Sequence, residues 1–197
     1  MKENTKFVIT LLAVLAAETI WSYACAYDMQ VWWTEFSSVL ALLLLFGLTY
    51  KKFQFSKTAY FILFAWCVLQ IIGACYTFER VPLNDFTHLF GAGRNNYDRI
   101  AHFTIGVSSF VVSEFLWRKK IIPSLKWAAL FGIIFIMALA NFWELVEWIY
   151  AEIDGGQAGL AFLGSQGDIW DAQKDMLMDT LGAILGSGLF YIQFKKS

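Results

Sequence analysis

Trp127 to Tyr150 reads WAALFGIIFIMALANFWELVEWIY, and this stretch decides the fold class. A helix needs about 20 predominantly apolar residues to cross roughly 30 Å of hydrocarbon, and here the charged positions, Glu144 and Glu147, sit near one end. Five further runs of similar character flank it: Phe7 to Tyr27, Val31 to Tyr50, Thr58 to Phe78, Ile100 to Trp117 and Met176 to Phe194. In a chain of 197 residues that is 58% hydrophobic and 16% charged, with a mean hydropathy of +0.55, these runs leave no room for a separate soluble domain. The expected fold is all-α: a polytopic membrane helix bundle of six transmembrane helices, forming one integral-membrane domain over residues 1–197.

Basic loops stay on the cytoplasmic side of a membrane. Lys2 and Lys6 precede the first run, Lys51, Lys52 and Lys57 separate the second and third, and Arg118, Lys119, Lys120 and Lys126 join the fourth and fifth. Lys195 and Lys196 follow the last, so eleven of the fifteen basic residues share one side. That distribution predicts both termini in the cytoplasm and puts fourteen of the sixteen acids, all but Glu3 and Glu114, toward the outside. The small net charge of −1 hides this asymmetry, and no nucleic-acid partner is expected. Lys2 and Lys6 before an apolar run that ends in Ala24-Cys25-Ala26 also fit a cleaved signal peptide, although the length of the run and Glu18 within it suit a retained helix better. Cys25, Cys67 and Cys75 lack metal-binding or redox spacing and read as buried packing residues. Both prolines, Pro82 and Pro123, lie in loops, so the interrupted helices of many transporters are not expected.

Chemistry is expected where ionisable side chains enter the bilayer, because such groups are costly there and must face partners. Asp98 and His102 are four residues apart, Glu144 and Glu147 three apart, and Asp171, Asp175 and Asp179 successively four apart, so each set occupies one helix face. Glu18 and Glu35 enter from the first two runs. The seven residues Asp98, His102, Glu144, Glu147, Asp171, Asp175 and Asp179 form a candidate metal site, mainly of oxygen donors, which favours magnesium, manganese, calcium or iron over zinc. Within it His102, Asp98 and Asp175 are candidate catalytic residues. The competing reading makes these acids structural, paired with one another or with the outer cations Arg80, Arg94, Arg99 and Lys174.

Arg94 and Arg99, with Gln166 and Trp170 in the last outer loop, are candidates for binding a substrate, since guanidinium suits a phosphate. His88, beside Asp85 in an outer loop, reads as a solvated or structural side chain, and Glu114 as a helix-end partner of Arg118. Trp21, Trp32, Trp33, Trp143, Trp148 and Trp170 form an expected interfacial belt. The outer loop from Ala151 to Asp175 carries the glycine-rich segment Gly155 to Gly159 and an apolar middle, Leu160 to Leu163, expected to dip back toward the interface. Gly182 and Gly186 permit close helix packing.

Four motifs together carry a resemblance: Tyr76-Thr77-Phe78-Glu79-Arg80-Val81-Pro82-Leu83, Arg94-Asn95-Asn96-Tyr97-Asp98-Arg99-Ile100-Ala101-His102-Phe103, Glu144-Leu145-Val146-Glu147-Trp148, and Gly164 to Met176. In them the chain resembles the YjdF-like bacterial inner-membrane family across nearly its whole length. The resemblance implies topology and location in the inner membrane, and no reaction. Where that family reads Gly-Gly-His, this chain has Gly73-Ala74-Cys75, which puts a histidine ligand from the third run in doubt unless a Cys75 thiolate replaces it. A weaker likeness to VanZ-like proteins, through Asp98 and His102, Glu144 or Glu147, and Asp175-x3-Asp179-x2-Gly182-Ala183, points by analogy to envelope lipids. The expectation is a membrane protein with an outward-facing acidic pocket that binds a divalent metal cation and an envelope lipid or other amphiphile. A small ion- or proton-coupled transporter and a non-catalytic scaffold are the alternatives.

Overall fold

The structure, a computed structural model, describes residues 2–82, 94–154 and 156–196. His88, Asp85 and Gly155 lie outside them. Eight helices and no strand are present among the described residues: α1 (Lys2–Cys25), α2 (Met29–Thr49), α3 (Lys57–Tyr76), α4 (Tyr97–Gly106), α5 (Ser109–Arg118), α6 (Leu125–Asp154), α7 (Gln157–Leu163) and α8 (Asp171–Lys195). Taking α4 and α5 as one span, six are long and apolar enough to cross a membrane. Large apolar side chains such as Leu48, 79% exposed, and Ile153, 81% exposed, cover the helix surfaces, as a lipid solvent permits and water does not. The chain divides into two compact units, one made of the residues up to Asp98 together with Glu147–Ile169, the other of Arg99–Val146 and Trp170 onward.

In the first unit α1 and α2 both pack along α3, whose Ala59, Ile71, Ala74 and Cys75 are fully enclosed. Helix starts are capped as their sequences prescribe: Asp28 accepts from the backbone N–H groups of Gln30 and Val31, and Ser56 accepts from Ala59. Ser22 ties the three helices together, donating to the Ile71 carbonyl at 2.7 Å and accepting from the Trp32 indole at 2.9 Å. Trp32 is therefore core and not part of an interfacial belt, because its one polar atom finds a partner inside the protein. Trp21, Trp33 and Trp148 are exposed, as a belt requires, as is Trp170 in the second unit, where Trp143 is half-buried.

The cysteines differ from the sequence expectation. Cys25 and Cys75 form a disulfide that joins the ends of α1 and α3, and Cys67 alone is free and buried. No Cys75 thiolate is left to act as a ligand. The loop after α6 also carries more structure than expected: Leu160 to Leu163 belong to α7, which packs on α2 and buries Phe162 against the Tyr150 ring, 5.0 Å between centroids.

The second unit is held by a seam of small residues between α4–α5 and α8. A β-carbon added at Gly182 would stand 2.1 Å from the Phe103 carbonyl oxygen, one at Gly186 would stand 2.1 Å from that of Val107, and one at Gly106 would stand 2.3 Å from that of Asp179. Backbones this close admit only glycine, which confirms the packing role expected for Gly182 and Gly186. The fourth span is interrupted between Gly106 and Ser109, contrary to expectation. The bonds Ser108 N–H to Ile105 and Val111 N–H to Ser108 tighten the chain to a 3₁₀ pitch there, and the Ser109 hydroxyl donates across the seam to the Ala183 carbonyl at 2.7 Å. The break needs no proline because serine hydroxyls and close packing stabilise it.

Gly182→Ala and Gly186→Ala are each expected to destabilise the protein by about 2 kcal/mol, since neither facing carbonyl can retreat without moving its helix. Gly188→Ala, which meets open space, serves as the control and should leave stability unchanged or raise it by up to about 1 kcal/mol in thermal unfolding of the detergent-solubilised protein.

Candidate functional site

In the second unit, α4, α6 and α8 bring one histidine, one arginine and four acids together. Asp171, Asp175 and Asp179 recur every four residues and so line one face of α8, and all three are buried. Arg99 and His102 stand three apart on α4 and meet that face. Arg99 lies 3.5 Å from Asp171 and 3.9 Å from Asp175, and His102 Nδ1 lies 2.9 Å from Asp179 Oδ2. From α6, Glu144 Oε1 approaches the other ring nitrogen, His102 Nε2, at 4.0 Å. An Asp175 carboxylate oxygen is within 4.8 Å of a His102 ring nitrogen.

These distances assign roles. With Asp179 ionised, its carboxylate only accepts, so Nδ1 carries the proton and donates, and the Nε2 of a neutral ring keeps its lone pair. A histidine held in this way by a carboxylate is the usual arrangement of a metal-binding imidazole. The gap from Nε2 to Glu144 is too long for a hydrogen bond, and it falls within the distance that two donors at about 2.1 Å from one cation can span. Asp98 lies one turn before His102 on α4 and shares its helix face. Within the second unit His102, Glu144 and Asp175 are thus the residues with donors suited to a cation, while Asp179 orients the ring and Arg99 offsets part of the negative charge.

The remaining predicted residues lie elsewhere. In the first unit Arg94 Nη1 reaches the Ser165 carbonyl at 3.5 Å and Asp168 at 3.8 Å. Gln166 is engaged at both ends by Asn95, accepting from its N–H at 2.9 Å and donating to its carbonyl at 3.1 Å, which holds Gln166 at a φ of 47°. Asn95 also donates to the carbonyls of Glu79 and Val81. Arg94 and Gln166 therefore act first as clasps on the last outer loop. Asn95 was not singled out from the sequence, although its adjacency to Arg94 in the quoted motif was the available signal. Trp170 is exposed just before α8.

Glu147, in the first unit, is buried at 9% exposure. Glu35 accepts from the Gln70 amide at 2.9 Å between α2 and α3. Glu18 is half-buried on α1, with its Oε2 enclosed and without a hydrogen bond. Arg80 stacks on the Tyr27 ring at 4.0 Å and pairs with Glu79. Glu114, fully buried in the second unit, pairs with Arg118 as its spacing predicts.

Residues 7–196 match the family described as "Predicted membrane protein (DUF2238)". The chain belongs to that family. One DUF2238-like relative, the inner membrane protein YjdF of Escherichia coli strain K12, is 31% identical over 178 residues, covering 89% of this chain and 83% of that protein. No solved structure matches. With six apolar spans and this relative, the DUF2238 chain is a multi-pass protein of the bacterial inner membrane.

Arg99 bears the main counter-charge to Asp171 and Asp175, so Arg99→Ala is expected to cost about 3–5 kcal/mol, the usual penalty for stranding buried charges. Asp171→Asn combined with Arg99→Ala should recover part of that loss in a double-mutant cycle, and strict additivity would show that the pair does not interact.

Proposed function

We propose that this protein binds a divalent cation at His102, Glu144 and Asp175, and that the cation engages the phosphate of an envelope lipid or related amphiphile. The observation that carries this reading is the imidazole fixed by Asp179 at 2.9 Å, with its second nitrogen 4.0 Å from Glu144 and a carboxylate oxygen of Asp175 within 4.8 Å of the ring. Four carboxylates around one guanidinium and one imidazole leave a negative excess that a divalent ion offsets. A mainly oxygen donor set favours magnesium or manganese, ions that characteristically keep positions for phosphate oxygens. On this reading residues 1–197 act as one integral-membrane domain. The transport reading has less support: at Gly132 on α6 a β-carbon would stand 2.2 Å from the Ser113 hydroxyl and 2.8 Å from the Ser109 carbonyl oxygen, so α5 and α6 leave no space between them at that level.

The site faces the periplasm and both termini lie in the cytoplasm on the same reading. Two independent features support this orientation, the lysines and arginines at one end of the spans and the Cys25–Cys75 disulfide at the other, because disulfides persist in oxidising compartments.

Metal-free protein titrated with manganese and followed by electron paramagnetic resonance should take up one ion per chain. His102→Ala should abolish uptake, and Asp179→Asn should weaken it about 10- to 100-fold. Uptake unchanged in His102→Ala and Glu144→Gln would overturn the site, and cation-dependent flux from liposomes would replace it with the transport reading. For the orientation, protein denatured without reductant should expose one thiol to maleimide, and three after reduction, while a green fluorescent protein fused to the C-terminus should fluoresce.

A further inference from the structure

A second site lies in the first unit, among residues the acidic cluster does not use. Near the end of the spans that carries the disulfide, α1 and α2 are tied by the Trp32–Ser22 hydrogen bond, and at the opposite end by Tyr50 donating to the Thr5 hydroxyl at 3.1 Å. Between these ties the two helices lean on α3 and leave a cavity of about 330 Å³. Its wall is aliphatic and aromatic, with Leu12, Leu15, Leu43, Phe46 and Leu63 among the lining residues, and it runs about 15 Å along α1 from Thr5 to Leu15.

We infer that this groove holds one acyl chain of an anionic phospholipid whose phosphate lies at the lysine-rich end. The shape selects a slender occupant. A helix about 10 Å across would fill 330 Å³ in less than one turn, and the hydrogen bonds at both ends block its passage. The chemistry selects a hydrocarbon, since the groove opens within membrane spans and offers polar atoms mainly at one end, from Thr5, Tyr50 and Tyr60. The charge selects the headgroup. Lys6 follows Thr5, Lys51 and Lys52 follow Tyr50, and all three are exposed, so the chain carries ammonium groups next to the polar end of the groove, where they attract an anionic lipid surface.

Gly47 provides a clean test, because it lines the groove and a β-carbon there meets nothing within 4 Å. A larger side chain therefore starts from open space beside the cavity and replaces a helix-weakening residue. The full-length protein is stripped of lipid in detergent, exposed to equimolar phosphatidylglycerol and phosphatidylcholine, and analysed by native mass spectrometry. The parent should retain phosphatidylglycerol at least fivefold over phosphatidylcholine. Gly47→Phe and Gly47→Leu should lose that retained lipid while keeping the parent's circular dichroism and melting temperature, and the triple variant Lys6→Gln, Lys51→Gln, Lys52→Gln should bind the two lipids equally. Equal retention of both lipids by the parent, unchanged retention in both Gly47 variants, or a dimer that either variant dissociates would each overturn the inference. His102→Ala should leave phosphatidylglycerol retention unchanged, which separates this site from the cation site.

Discussion

Inside hydrocarbon no water solvates a charge, so every ionised group in this protein must find its counterpart within the protein itself. That requirement organises the second unit. Arg99 and His102 stand on one helix so that the three aspartates of α8 meet a guanidinium and an imidazole, and Glu144 is brought to the same ring from a third helix. Removing any one member leaves the others exposed to a solvent that cannot stabilise them. The cluster therefore constrains the positions of three helices, and it is a cause of the fold as much as its product.

The small-residue seam makes that geometry possible. An acid reaches a histidine on the neighbouring helix at 2.9 Å only if the two backbones approach closely, and Gly106 and Gly182 allow the contact one turn from His102 and Asp179. The Ser109 bond to the Ala183 carbonyl fixes the register just beyond. The same closeness continues at Gly186, where an added β-carbon would stand 2.1 Å from the Val107 carbonyl oxygen. The polar contacts and the close helix packing thus depend on one set of glycines.

Much of this was legible in the sequence because it is periodic. The six spans follow from apolar length, the face of Asp171, Asp175 and Asp179 from their spacing, the Glu114–Arg118 pair from a four-residue separation, and the seam from Gly182 and Gly186. What escaped was non-local. Nothing in the spacing of Cys25 and Cys75, fifty residues apart, shows that α1 and α3 end side by side. Trp32 looks like Trp33 in sequence, and only Ser22 on another helix makes it core. The break in the fourth span lacks a proline signal because serine hydroxyls stabilise it. Gln166 looked like a ligand-binding amide until Asn95, distant in sequence, was found against both its ends.

Helix α6 has 30 residues and is about 45 Å long, whereas a bilayer's hydrocarbon layer is about 30 Å thick. Roughly ten residues must project beyond the hydrocarbon or the helix must tilt, and Glu144 and Glu147 lie in the second half of its length. The depth at which these acids sit therefore depends on the membrane around them. A thicker bilayer draws them into hydrocarbon, and a thinner one lifts them toward the headgroups. Hydrophobic mismatch is thus a variable that couples lipid composition to the electrostatics of this protein.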